Sequence, residues 1–312
     1  MYANLRRRIR GFARRLALKI PAVRARADEL ARARHAARFV GPGHFYSPIP
    51  SDADIARYAA PLAAARPRTL PGIDLNEAGQ LALLEEIAGY YPELPFPALP
   101  TPGHRYYFEN GAYSYSDAIC LYGMMRHARP RRIIEVGSGF SSCAMLDVND
   151  RCFGSEIRCT FVDPYPERLL SLITPDDRAR IEILPLSVQT VPLDRFGALE
   201  ANDILFIDST HVAKLGSDVC HLFGQVLPIL QPGVYVHIHD IFYPFEYPPE
   251  WFAVGRAWNE TYFLRAFLTF NTAYRIVLFN TFLEAFHRDV FEARLPLCLK
   301  NEGGSVWLQR TA

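Results

Sequence analysis

Apolar residues recur along this chain with two different periods. Between residues 104 and 312, short β-branched and aromatic runs predict strands at Arg132–Val136, Arg158–Val162, Ile181–Leu184, Asp203–Ile207, Val234–Ile238 and Tyr274–Phe279, with a last strand at Ser305–Gln309. Helical stretches separate most of them. This alternation predicts an α/β fold with a doubly wound, mostly parallel sheet whose last strand is antiparallel, preceded by an N-terminal helical cap. Upstream the period changes. Leu5, Ile9, Phe12, Leu16 and Ile20 step by three or four residues and fall on one face of a helix that Pro21 ends or kinks. From 41 to 103 proline-rich turns dominate, around one helix near Glu77–Gly89 with Leu81, Leu84, Ile87 and Ala88 as its apolar side. Three segments are expected: a basic helical arm (1–40), a proline-rich helical cap (41–103) and the main domain (104–312).

Half of the 312 residues are apolar and 21% are charged, values that exclude wholesale disorder. No apolar run reaches the ~18–20 residues of a membrane-spanning helix. The six cysteines form no CxxC pair, a pattern closer to reduced thiols in a cytoplasmic protein than to a disulfide framework. The net charge of +1 hides an asymmetry. Residues 1–40 hold eleven arginines and one lysine against Asp28 and Glu29, a net of +10, leaving −9 on the remainder. A basic amphipathic arm of this kind suits an anionic membrane surface, through residues 1–20, as well as it suits packing on its own domain or on a second copy in a homo-oligomer. An organellar transit peptide is a lesser third reading of the same composition.

The densest chemical signal is Ile133-Ile-Glu-Val-Gly-Ser-Gly-Phe-Ser-Ser142. A buried strand runs into Gly137-x-Gly139, and a helix starts near Ser141, so backbone N–H groups face a ligand at close approach. The next strand ends in Asp163, 24 positions after Gly139, where a carboxylate grips a ribose diol. Position 142 is Ser, so the third glycine of a dinucleotide fingerprint is missing, which counts against NAD. Two further strand ends carry Asp208-Ser-Thr-His211 and His237-Ile-His239-Asp240. Carboxyl ends of neighbouring strands face one crevice, so Asp208, His239 and Asp240 are expected to converge as a divalent-metal shell beside His211.

Glu135-x-Gly-x-Gly139, Asp163 and Leu230-Gln-Pro-Gly233 resemble the successive signature elements of class I S-adenosylmethionine-dependent methyltransferases, over residues 104–312. The resemblance implies a Rossmann-like methyltransferase sheet. It also implies a cofactor site of Glu135, Gly137, Gly139, Ser141, Asp163 and, beside the adenine, Ser187. The DxxH…HD arrangement is similar to the metal-dependent sugar and macrolide O-methyltransferases and the cephalosporin-hydroxylase-like group. That likeness implies Asp208 and Asp240 as metal ligands and His211 as base. An acid stands in that pattern where this chain has His239, and an imidazole suits a transition metal better than Mg.

The expected activity is O-methylation of a glycan or small glycosylated metabolite. Three other readings remain: a non-haem iron oxygenase using His237 or His239 with Asp240, a nucleic-acid methyltransferase using the arm, and a non-catalytic membrane-tethered adaptor. The acidic body argues against nucleic acid. On the acceptor side, Arg105–Tyr115 and the aromatic loop Ile241–Trp251 are candidates for either substrate contact or packing. Trp258-Asn259-Glu260 opens a helix with no evident chemical role.

Overall fold

The computed structural model describes residues 19–36 and 39–312. The arm's stripe from Leu5 to Leu16 lies outside the described residues. The chain divides into two compact units at the Tyr58–Ala59 boundary. The first carries a helix, Pro21–Ala36, opening on the proline whose fixed φ suits a first helical position. It also carries a capping box in which Ser51 and Asp54 bond each other's backbone.

The second unit, Ala59–Ala312, is built on a seven-stranded sheet: β1 (Arg132–Val136), β2 (Arg158–Val162), β3 (Glu182–Leu184), β4 (Ile204–Ile207), β5 (Tyr235–His239), β6 (Tyr274–Phe279) and β7 (Ser305–Arg310). Their order is β3-β2-β1-β4-β5-β7-β6. The first five pair in parallel, and β7 runs antiparallel to both β5 and β6. This is the doubly wound sheet with an antiparallel last strand that the hydrophobic pattern implies. Strand order reverses between β1 and β4, and the crevice at such a switch point is where open α/β sheets bind ligands. Register aligns Val136 with Ile207 and Ile207 with Ile238. The residues that follow, Gly137, Asp208 and His239, therefore emerge side by side.

The helix Glu77–Tyr90 buries Leu83, Leu84, Ile87 and Ala88, while Leu81 stays partly exposed. The buried Gln80 in the same helix accepts from the Phe279 N–H at 2.7 Å and donates to the Leu75 carbonyl at 2.6 Å, tying the helix to β6. Tyr115–Ala128 is buried along most of its length. Phe140–Phe153 follows the β1 turn, and Glu167–Leu172 follows β2. Among the described residues, no helix is long and apolar enough to cross a membrane.

Candidate active site

The glycine turn is a consequence of close backbone packing. Gly137 has φ +91°, in the region that favours glycine, and a Cβ built on it would stand 1.8 Å from the Asp208 carbonyl oxygen. The β1 and β4 exits touch through that gap, with the Asp208 N–H donating to the Val136 carbonyl at 2.9 Å. A side chain at Gly137 therefore displaces the end of β4. Gly137→Val is therefore expected to disturb the fold as well as ligand binding, because the fold itself uses the missing Cβ.

Glu135 and Ser141 stand behind the turn. The Ser141 and Ser142 hydroxyls donate to the two Glu135 carboxyl oxygens, and all three side chains are buried. Burial pushes the Glu135 carboxyl up to about 8, although both hydroxyls oppose the shift. The pair braces the start of the helix Phe140–Phe153 from behind, and the turn's outer face stays open.

That outer face opens on a cavity of about 490 Å³ lined by Gly137, Ser138, Asp163, Ser187, Val188 and Asp208, among others. Asp163 accepts from the Ser138 hydroxyl at 2.7 Å and from the Tyr165 N–H at 2.8 Å. The second bond is an aspartate turn that positions the carboxylate at the mouth of the cavity. Ser187 lies on the far wall, after β3.

The reaction-centre candidates meet at the next two strand ends. His211 is buried, and its Nε2 lies 3.4 Å from Asp208 Oδ1 and 3.5 Å from Asp240 Oδ2. His239 Nε2 is 3.7 Å from Asp240 Oδ1. Asp208 and Asp240 are partly exposed, His239 is buried, and the Tyr113 ring packs 5.3 Å from the His239 ring. His211 and Asp240 both adopt positive φ, +59° and +55°, sparsely populated for side-chain-bearing residues and held by the structure around them.

That support comes from the segment the sequence leaves without a role. The Asn259 and Glu260 N–H groups both donate to the His211 carbonyl at 3.1 Å, and Asn259 Oδ1 accepts from the Ala213 N–H at 2.6 Å. Glu260 Oε2 lies 2.9 Å from His211 Nδ1, and Trp258 packs 4.4 Å from the imidazole. Glu260 is completely buried. Burial disfavours a charged His211, yet hydrogen bonds with Asp208 and Glu260 raise it to about 10. Against the upward push of burial, His239 and His211 hold the Asp208 carboxyl below its ordinary value. Burial acts against charge on His239 too, and the Asp240, Asp208 and Asp117 carboxylates outweigh it, raising His239. His237 behaves differently. It is wholly buried, stacked 3.8 Å from Phe206, and burial keeps it well below its usual range, hence neutral.

A second cavity, of about 870 Å³, opens on the other side of these residues. His239, Asp240, Asp117, Tyr115, Trp251 and Lys300 line it, with Phe242 and Glu109. The two aromatic candidate segments split accordingly. Phe242 and Trp251 face the cavity, while Tyr243, Phe245 and Tyr247 are core. Glu109, Ser114 and Tyr115 face it as well, but Arg105 does not. Arg105 pairs with Asp147, Asp150 and Asp177, clamping the segment to the helix Phe140–Phe153.

Two carboxylates aimed at one nitrogen, with a buried imidazole beside them, fit a divalent cation in kind. Among the described residues, no three His, Cys, Asp or Glu side chains stand in a preformed metal-holding group.

Residues 134–241 match a family model described as a methyltransferase domain. A protein of Archaeoglobus fulgidus, described as uncharacterized, is 36% identical over 176 residues, which is 55% of this chain and 78% of that one. The chain carries a methyltransferase domain of that family over residues 134–241. It is also similar in structure to CmcI with Mg and SAM (18% identity, TM-score 0.40, 64% of this chain and 73% of that one). A second likeness is to the O-methyltransferase TomG from Streptomyces achromogenes in complex with SAM (14%, 0.41, 77% and 92%). A third is to an O-methyltransferase from Bacillus cereus in complex with SAH (13%, 0.40, 82% and 100%).

Proposed function

We propose that this enzyme transfers the methyl group of S-adenosylmethionine to a hydroxyl of a glycan or small glycosylated metabolite, with His211 as base and a divalent cation at Asp208 and Asp240. One observation carries the reading. Asp208 faces the cavity beside the glycine turn, Asp240 faces the larger cavity, and His211 Nε2 lies between the two carboxylates. An acceptor oxygen from the second cavity and a methyl carbon from the first would meet there, the alignment an in-line displacement requires.

Asp163 is the acceptor for the ribose hydroxyls, Gly137 and Gly139 admit the methionine portion, and Ser187 flanks the adenine. The aromatic faces of Trp251, Phe242 and Tyr115 suit sugar rings, with carboxylates nearby for their hydroxyls. A cation held by Asp208 and Asp240, with His239 beside them, would supply Lewis acidity to a coordinated hydroxyl. While the two carboxylates are otherwise uncompensated, His211 keeps its proton. It serves as base when another positive charge answers them, and Glu260 then fixes which ring nitrogen faces the acceptor.

The test is methyl transfer from labelled S-adenosylmethionine to a panel of glycosides and hydroxylated metabolites, with and without EDTA. Transfer to an oxygen, lost on chelation and restored by a divalent metal, is expected. His211→Ala is expected to lower turnover ~10²–10⁴-fold with cofactor affinity retained. Undiminished turnover in EDTA by metal-free protein would remove the cation from the scheme.

A further inference from the structure

We infer that Arg168 grips the carboxylate of the methionine portion of S-adenosylmethionine, a role that rests on the cavity beside the glycine turn being the cofactor pocket. Arg168 lies in the helix Glu167–Leu172 after β2 and lines that cavity with Gly137, Ser138 and Asp208. Its aliphatic stem crosses the glycine turn, so that a Cβ built on Gly139 would stand 3.2 Å from Arg168 Cδ. The absent side chain there makes room for the arginine.

Several arginines of this unit already have carboxylates. Arg105 holds Asp147, Arg132 holds Asp203, Arg180 holds Asp177 and Arg195 holds Glu182. Arg168 differs: its charge acts on Asp208, yet among the described residues its guanidinium makes no ion pair. A planar fork without a carboxylate partner, at the glycine-turn end of the cavity, matches an α-carboxylate.

The cavity's other cation, Lys214, belongs to the opposite end. Gln189 Nε2 donates to the Gly216 carbonyl at 2.9 Å, which ties the Lys214 loop to the Ser187–Gln189 wall. The methionine portion carries an ammonium as well as a carboxylate. Arg168 complements the second.

The experiment is calorimetric titration of the full-length protein with two ligands. One is S-adenosylhomocysteine; the other is S-adenosylthiopropylamine, the same molecule without its carboxylate. Wild type is expected to bind the first about tenfold or more tightly than the second. Arg168→Gln should weaken S-adenosylhomocysteine about 10–100-fold, the worth of a charge-assisted hydrogen-bonded pair, and leave the amine within about twofold. The gap between ligands then closes. Arg168→Lys keeps the charge without the fork and should fall between. Equal losses for both ligands, or an undiminished affinity for S-adenosylhomocysteine in Arg168→Gln, would overturn the assignment. Binding of neither ligand by wild type would overturn the cofactor pocket, and the role of Arg168 with it.

Discussion

Glu135 shows how a single buried carboxyl can mark the site through stability alone. Its ordinary value is 4.5, and burial moves it to about 8 in the folded protein. Between those values the folded state holds a proton that the unfolded chain releases, so stability falls as pH rises across that window and then levels. Glu135→Gln keeps an acceptor for the serine hydroxyls and cannot ionise. Urea melts from pH 5 to 8 are expected to show wild type losing ground to Glu135→Gln, by a few kcal/mol at most. Parallel pH profiles would show that Glu135 titrates alike in both states. Strand-end position makes Asp163, Asp208 and Asp240 legible in the sequence, because the carboxyl ends of parallel strands share a crevice whatever the loops do. Glu260 is not legible. It lies 49 residues beyond His211 and meets it through a loop return, and nothing in Trp258-Asn259-Glu260 announces that its carboxylate is buried against an imidazole.

Among the elements, the strands are the most readable part of the chain, since β-branched and aromatic runs between glycine and proline turns leave little choice. Arg132–Val136, Arg158–Val162 and Tyr274–Phe279 emerge with the boundaries their patterns imply. The segment Arg105–Tyr115 is harder, because its conformation depends on partners 42 to 72 residues downstream. Arg105 Nη1 donates to Asp147 at 2.7 Å and Nε to Asp177 at 2.9 Å, while the backbone N–H groups of Arg105 and Tyr106 also donate to Asp147. Asp147 and Asp177 are almost wholly buried. Arg105→Met would strand the buried Asp147 carboxylate and leave Asp177 with Arg180 as its one cation, a change worth roughly 3–5 kcal/mol. Chemical denaturation is expected to show a loss of that order. Hydrogen exchange should quicken along residues 105–115, part of which lines the larger cavity. A loss under about 1 kcal/mol would mean that water replaces the guanidinium at little cost.

At the scale of the whole molecule, a −9 remainder follows a +10 arm. The amphipathic stripe of residues 1–20 is proposed to bind anionic membranes, with arginines contributing roughly 1 kcal/mol each near the surface and fading within a Debye length. Full-length protein is expected to sediment with phosphatidylglycerol-containing vesicles and to be released in part by salt. Deleting residues 1–21 should abolish binding without altering cofactor affinity. Equal sedimentation of both forms would defeat the idea, as would unfolding of the truncated protein, which would place the stripe on its own domain.

The central claim is that the crevice at the β1–β4 switch point is an S-adenosylmethionine site in which Asp163 holds the ribose. Calorimetric titration of S-adenosylmethionine into wild-type and Asp163→Ala proteins, each shown folded by its melting curve, tests it most directly. The account predicts saturable one-to-one binding by wild type, with or without divalent metal. It predicts a loss of about 10–100-fold in Asp163→Ala, for a carboxylate that accepts from two hydroxyls. Equal affinity in the two proteins would contradict the ribose assignment, and no binding by folded wild type under any metal condition would contradict the site itself.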